Sequence, residues 1–322
     1  DMLSVNDKEL SDDSNTTVTS DKDGICQSED GTWNYYRNGK IDSGYTGLAE
    51  NEAGWWYVKD GAIDFSYTGL VPNENGWWSV INGKLDFGYT GLMANEYGWW
   101  YVDDGCIDFD YTGNVSDETG IWKVVNGQVE SEVEQSFAAQ LPAAEEYSQL
   151  VVVESEGVHA TVTMHEKQDG VWTEILRTDG FVGSMGVGQA SAYTSVTPQG
   201  TFPLYFAFGI NPDPGTIIPY LQVDEYDYWV GDSSSPLYNQ YARADSDTDW
   251  DKSKSERIID YPTAYGYCLF IGYNIEGVPG KGSCFFLHCS NGRPTAGCVS
   301  VPESDMAFIL RNIGEDCGIV IE

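Results

Sequence analysis

A tandem repeat restricts this chain more than any other feature. Gly54-Trp55-Trp56, Gly76-Trp77-Trp78 and Gly98-Trp99-Trp100 recur every 22 residues, a degenerate Gly120-Ile121-Trp122 follows, and Tyr-Thr-Gly recurs in step from Tyr45, Tyr67, Tyr89 and Tyr111. Two independent markers on a shared period identify an array of structural units. Each unit reads GWWxVxxGxIDFxYTGL: an aromatic strand, a polar turn such as Lys59-Asp60-Gly61 or Asn82-Gly83-Lys84, and a second strand that alternates apolar and polar residues. The pattern predicts a β-hairpin per unit. A lone hairpin has no interior in which to bury its tryptophans, so the hairpins are expected to stack as a solenoid over residues 27–130, with end units such as residues 31–40 as caps.

The sequence on either side has a different texture. Residues 1–26 are rich in Ser, Thr, Asp and Asn without an apolar period and read as a flexible tether, such as remains once a signal peptide or anchor has been removed. Residues 131–148 shift to Ala, Glu and Gln around Pro142, which predicts a linker with a short helix on either side. Residues 149–322 read as a second, mainly β domain: apolar strands are separated by Gly and Asp turns, and Tyr265–Tyr273 and Ser283–Cys289 are continuous apolar runs.

Bulk charge narrows the partners. Sixteen basic against 51 acidic residues leave a formal charge of −35, which repels nucleic acid and anionic membrane surfaces and suits an exposed extracellular setting. No stretch approaches the ~18 apolar residues of a membrane helix, and the first residues carry no basic-then-apolar signal, so a soluble chain without membrane insertion is expected. The seven cysteines show no CxxC spacing, and their odd number leaves at least one thiol unpaired.

The chemistry-bearing stretch is FFLHCSNGRPTAGCVSVP, residues 285–302. Alternation along a strand from Ser283 to Cys289 puts Cys284, Phe286 and His288 on one face and Phe285, Leu287 and Cys289 on the other. Ser300 with Glu303 has the form of a capping box, and Met306, Ile309, Leu310 and Ile313 fall at helical spacing. Cys298 thereby stands just before a predicted helix N-terminus, whose positive end favours a thiolate. A zinc site of Cys284, His288 and Cys298 is the rival reading, but no CxxC or HxxxH spacing supplies a fourth ligand, and no metal is expected. His159 and His165 read as ordinary strand or turn histidines.

Two family resemblances follow from these residues. Tandem hairpins carrying Trp-Trp and Tyr resemble the choline-binding and related cell-wall-binding repeats of Gram-positive surface proteins. That resemblance implies a wall-binding face made by Trp55, Trp56, Trp77, Trp78, Trp99, Trp100, Tyr67, Tyr89 and Tyr111, whose rings cage a cation or stack on sugar. Asp64, Asp86 and Asp108 depart from the choline-binding pattern, which leaves the ligand open between choline and another wall glycan or teichoic-acid group, and a purely structural array is the alternative.

Residues 149–322 resemble L,D-transpeptidases of the YkuD type, which cross-link peptidoglycan stem peptides. The likeness rests on four segments in the family's order: residues 195–204 (SVTPQGTFPL), 264–274 (AYGYCLFIGYN), 282–288 (GSCFFLH) and 294–302 (PTAGCVSVP). It implies a β-sandwich with short helices, so the whole chain is expected to be mainly β. It also implies that Cys298 is the nucleophile, His288 its base, the Cys289 backbone carbonyl the group that orients the imidazole, and the Gly297 and Cys298 N–H groups the oxyanion donors. Arg293, Thr295 and Ala296 would line the substrate side, Arg293 offering positive charge to a carboxylate. Thr295-Ala296-Gly297-Cys298-Val299 lacks the second histidine and the arginine of many members, and ten residues separate His288 from Cys298, a short spacing. The expectation is a secreted, wall-associated Gram-positive enzyme that needs no cofactor and joins stem peptides through a cysteine thioester. An L,D-carboxypeptidase using the same nucleophile and a non-catalytic wall-binding protein are the alternatives.

Overall fold

Asn-Gly and Asp-Gly pairs fold the repeats. In Asn38-Gly39, Asp60-Gly61, Asn82-Gly83, Asp104-Gly105 and Asn126-Gly127 both residues have positive φ, the geometry of a type I′ hairpin turn. Glycine is required at Gly61 for a second reason: a Cβ there would lie 2.6 Å from the Asp42 carbonyl oxygen of the preceding unit. This computed structural model describes residues 22–244 and 246–322. The tether expected at residues 1–26 lies outside them as far as residue 21. Its last part is corrected: Gly24–Gln27 is a strand that pairs antiparallel with Trp33–Arg37.

Hairpins such as Gly47–Asn51 with Gly54–Lys59, and Gly69–Asn73 with Gly76–Ile81, join one extended sheet. Neighbouring units meet through main-chain bonds: Tyr57 N–H donates to the Gly83 carbonyl and Gly83 N–H to the Tyr67 carbonyl, both at 2.8 Å. Their interiors are shared. Leu48 packs with Val71, Val80 and Leu85, and Leu70 with Met93, Val102 and Ile107, so each small core draws on consecutive units, as stacking requires.

The described residues divide into two units between Val133 and Glu134. In the second, the stretch read as a linker contains short 3₁₀ turns at Phe137–Gln140 and Pro142–Glu145. Ala138 and Ala143 pack there with Leu150, Val152 and Trp172 of the sheet. His165 sits below, buried, with its ring nitrogens on the Ser136 and Thr163 hydroxyls, a structural role.

The main sheet of this unit has nine strands. From Gly200–Gly209 it runs through Cys268–Ile271, Phe286–Cys289, Val299–Val301, Val171–Phe181, His159–Gln168, Gln149–Glu156 and Cys317–Ile321. The last pairs back onto the first, Gly200 opposite Ile321 and Phe202 opposite Ile319, while Tyr220–Gln222 lies outside the ring. The sheet is therefore a closed barrel, and the expected β-sandwich is corrected: this last pairing removes the edges that two separate sheets would keep. Val162, Met164, Leu287, Val299 and Ile319 fill it, and the helix Glu303–Asn312 buries Met306, Ile309 and Leu310 against the same core. An insertion between Tyr220–Gln222 and Cys268–Ile271 forms a three-stranded sheet of Tyr241–Arg243, Asp227–Trp229 and Glu256–Arg257. Trp229 anchors it to Phe208, Phe270 and Phe286. No helix among the described residues is long and apolar enough to cross a membrane.

Candidate functional site

Strand alternation separates the two sides of Phe286–Cys289: Phe285, Leu287 and Cys289 enter the barrel core, whereas Cys284 and Phe286 join a second cluster that includes Cys298. The strand is shorter than the sequence reading, because Cys284 takes a left-handed φ of 62°. Asn239 holds that residue in place. Its Oδ1 accepts from the Cys284 N–H at 3.0 Å and from Trp229 Nε1, and its amide donates to the Tyr273 and Asn274 carbonyls. The barrel mouth and the insertion enclose a cavity of about 610 Å³, lined by Cys298, His288, Cys284, Glu256, Tyr265 and Arg293 among others.

The imidazole is oriented by main chain. His288 Nδ1 donates to the Cys289 carbonyl at 2.8 Å, which leaves Nε2 as the acceptor nitrogen. The Cys298 thiol donates to the Cys284 carbonyl at 3.2 Å, and the Phe286 N–H points at its sulfur at 3.4 Å. Val299–Val301 pairs in parallel with Phe286–Cys289, His288 opposite Ser300, and this pairing brings the two ends of the motif together.

Thr295 pins the turn before Cys298. Its hydroxyl donates to the Cys298 carbonyl at 2.6 Å and accepts from the Gly297 N–H at 3.1 Å, and Thr197, from the Thr-Pro segment, adds a second hydroxyl on that carbonyl. The Gly297 oxyanion role is thus corrected: a local side-chain turn has taken that N–H. No described residue takes the N–H of Cys298. Gly297 remains a structural necessity, since at φ 144° an added Cβ would meet the Phe285 ring at 2.8 Å. Arg293 and Ala296 are exposed on the cavity wall.

Two expectations about the helix are also corrected. Its N-cap is Pro302, without a side-chain cap, and Ser300 stays in the strand with its buried Oγ unpartnered among the described residues. Cys298 is set back from the helix by the strand Val299–Val301, and burial dominates its ionisation: the thiol is pushed up to about 12, helped by the Glu256 charge, while burial pulls His288 down to about 4. The resting pair is a neutral thiol and a neutral imidazole, not a thiolate. All seven cysteines are free thiols, and no described cluster of His, Cys, Asp and Glu could hold a metal ion.

Sequence reasoning missed Glu256. It lies far along the chain from the motif, its carboxyl faces the cavity, and it accepts a hydrogen bond from the Tyr265 hydroxyl. Burial raises its pKa above the usual carboxylate range.

In the repeats, the second tryptophan of each pair donates its Nε1 to an asparagine, Trp56 to Asn51, Trp78 to Asn73 and Trp100 to Asn95. Each also meets a phenylalanine edge-on at 5.6 Å: Phe65, Phe87 and Phe109. Trp55 and Trp77 contribute to the shared cores, whereas Trp99 is exposed. The hydroxyls of Tyr67, Tyr89 and Tyr111 are tied to the carbonyls of Leu70, Leu92 and Asn114. Asp64, Asp86 and Asp108 accept from backbone N–H groups two residues on, which makes them turn residues. Opposite the second tryptophans the units differ: Lys84 faces Trp56, Cys106 faces Trp78 and Gln128 faces Trp100. The Lys84 ammonium lies 5.4 Å from the Trp56 ring centre.

An aromatic β-hairpin array and a barrel with a cysteine–histidine cavity define the two parts of the chain. The profile of the choline-binding repeat family matches residues 21–42, 44–64, 66–86 and 88–108. Such repeats are typical of cell-surface proteins and suggest cell-wall binding for this part of the chain. The match begins within the stretch read as a tether and includes the Gly24–Gln27 strand. No curated protein matches the chain.

Proposed function

We propose that the chain is a cell-wall enzyme of the L,D-transpeptidase type, carried on wall-binding repeats at the outside of a Gram-positive cell. The observation that carries this reading is the Cys298 thiol and the His288 imidazole lining the same cavity, with Nδ1 committed to a main-chain carbonyl. Likeness of the four ordered segments to the transpeptidase family supports it.

In the proposed cycle His288 Nε2 takes the thiol proton as Cys298 sulfur attacks the carbonyl between the L-centre and the D-residue of a donor tetrapeptide. The Cys298 N–H stabilises the oxyanion, and His288 returns the proton to the leaving amine. An acceptor amine, such as the side chain of diaminopimelate, then opens the thioester. Proton transfer within the attack, rather than a standing ion pair, suits the neutral resting pair. The repeats hold the enzyme to a choline-bearing or related wall ligand through the Trp78 and Trp100 faces.

Incubation with disaccharide-tetrapeptide, followed by intact mass spectrometry and product analysis, tests the reading. The expected result is an acyl adduct on Cys298 and a cross-linked dimer; trimmed monomer alone would indicate a carboxypeptidase. A Cys298→Ala protein that still forms dimers would overturn the assignment.

A further inference from the structure

We propose that Glu256 is the receptor and base for the acceptor amine, which makes the second substrate of the cavity a cationic primary ammonium. The inference rests on the thioester reading above and adds a catalytic residue to it.

Glu256 lies in a strand of the insertion and faces the same cavity as Cys298 and His288. No basic side chain forms an ion pair with it among the described residues; it accepts from the Tyr265 hydroxyl, while the Cys284 thiol donates to the Ser283 hydroxyl. A carboxylate has about four lone-pair sites, so this one is under-used in a setting where a buried charge without a cation is costly. Arg293 supplies the one positive charge among the described lining residues, and it sits on the loop before the nucleophile rather than on the insertion. Burial alone favours the neutral acid here; an incoming ammonium supplies the counter-charge that makes the carboxylate the favoured form, and a chain of net charge −35 draws cations toward it.

Chemistry gives the position a purpose. An ammonium nitrogen has no lone pair and cannot open a thioester. Glu256 carboxylate removes one of its protons, the freed pair forms the N–C bond to the thioester carbon, and the C–S bond breaks with its electrons on Cys298 sulfur. The second proton leaves the nitrogen through His288 to that sulfur, and Glu256 later releases its own proton to solvent. A carboxylate lifted out of water is a stronger base than a surface one. Tyr265 joins the two bases, since its hydroxyl bonds Glu256 and its ring packs edge-on against His288 at 5.6 Å. The Glu256 charge in turn acts on the titratable groups around it, raising the pKa of Tyr261, Tyr265, Cys268, Cys284 and Cys298.

The test separates the two half-reactions in Glu256→Gln and Glu256→Asp proteins. With disaccharide-tetrapeptide as donor, Glu256→Gln is expected to form the Cys298 adduct at least as fast as wild type, since the charge that helps raise the thiol is gone. Transfer to a diaminopimelate-containing stem peptide should then fall about 100-fold. Hydroxylamine, already neutral at pH 7, should discharge the same adduct at the wild-type rate, and Glu256→Asp should restore part of the transfer. If Glu256→Gln transfers to the stem peptide as fast as wild type, or loses hydroxylamine discharge equally, Glu256 is not the acceptor base. Absence of the adduct in the wild-type protein would instead sink the thioester reading, and this proposal with it.

Discussion

The thiol of Cys298 is hydrogen-bonded to the carbonyl of Cys284, 14 residues earlier, at 3.2 Å. That carbonyl is aimed by a left-handed Cys284 whose N–H is held by Asn239, so a side chain of the insertion fixes the resting direction of the sulfur. In this position the thiol proton is parked on main chain rather than on the imidazole.

The neutral thiol sets the pH dependence of its reactivity. With the Cys298 pKa pushed up to about 12, alkylation by iodoacetamide should be slow at pH 7 and climb roughly tenfold per pH unit, without a plateau below pH 10. Mass-resolved alkylation of Cys298 across pH 6–11 checks this. A plateau near pH 7 would mean that an ion pair exists after all.

Acid should destabilise the barrel through His288. Its folded pKa of about 4 lies below the ordinary 6.5, so above pH 6.5 neither state is protonated and the group has no effect. Between these values the unfolded chain binds the proton and the folded one does not. Stability should fall by about 3 kcal/mol through that window and level off below it. In urea unfolding of the wild-type and His288→Gln proteins at pH 7.5 and 4.5, the substituted protein should show the smaller drop.

Asn239→Ala should strike stability and reactivity together. It leaves Cys284 N–H and Trp229 Nε1 unpartnered in a buried region, a loss of about 2–4 kcal/mol. Thermal unfolding reads the first effect. A slower Cys298 adduct at temperatures where the fold persists reads the second, and an unchanged acylation rate would show that Cys284 needs no such support.

The repeats should not be equivalent binding sites. The Lys84 ammonium stands over Trp56 where a ligand cation would sit, whereas Cys106 and Gln128 place no charge over Trp78 and Trp100. Lys84→Ala should therefore strengthen retention on an immobilised quaternary-ammonium resin by up to about fivefold, the equivalent of ~1 kcal/mol of cation–π attraction. Trp78→Ala and Trp100→Ala should weaken it, and an equal effect of Trp56→Ala would contradict the blocked face.

Local pattern determined much of this protein. The 22-residue period and the Asn-Gly and Asp-Gly turns specify stacked hairpins, because side-chain periodicity and positive φ are properties of a few adjacent residues. The same holds for the split of Phe285, Leu287 and Cys289 from Cys284 and Phe286, which is alternation in a strand. Tertiary structure alone decided what depends on remote segments. The pairing of Gly200–Gly209 with Cys317–Ile321 turned the expected sandwich into a closed barrel. Thr295 claimed the Gly297 N–H, and burial made Cys298 and His288 neutral where a helix end alone would favour a thiolate. Glu256 reached the cavity on an inserted sheet with no motif around it, since desolvation and charge proximity are set by which chain segments fold together and leave no local trace in sequence.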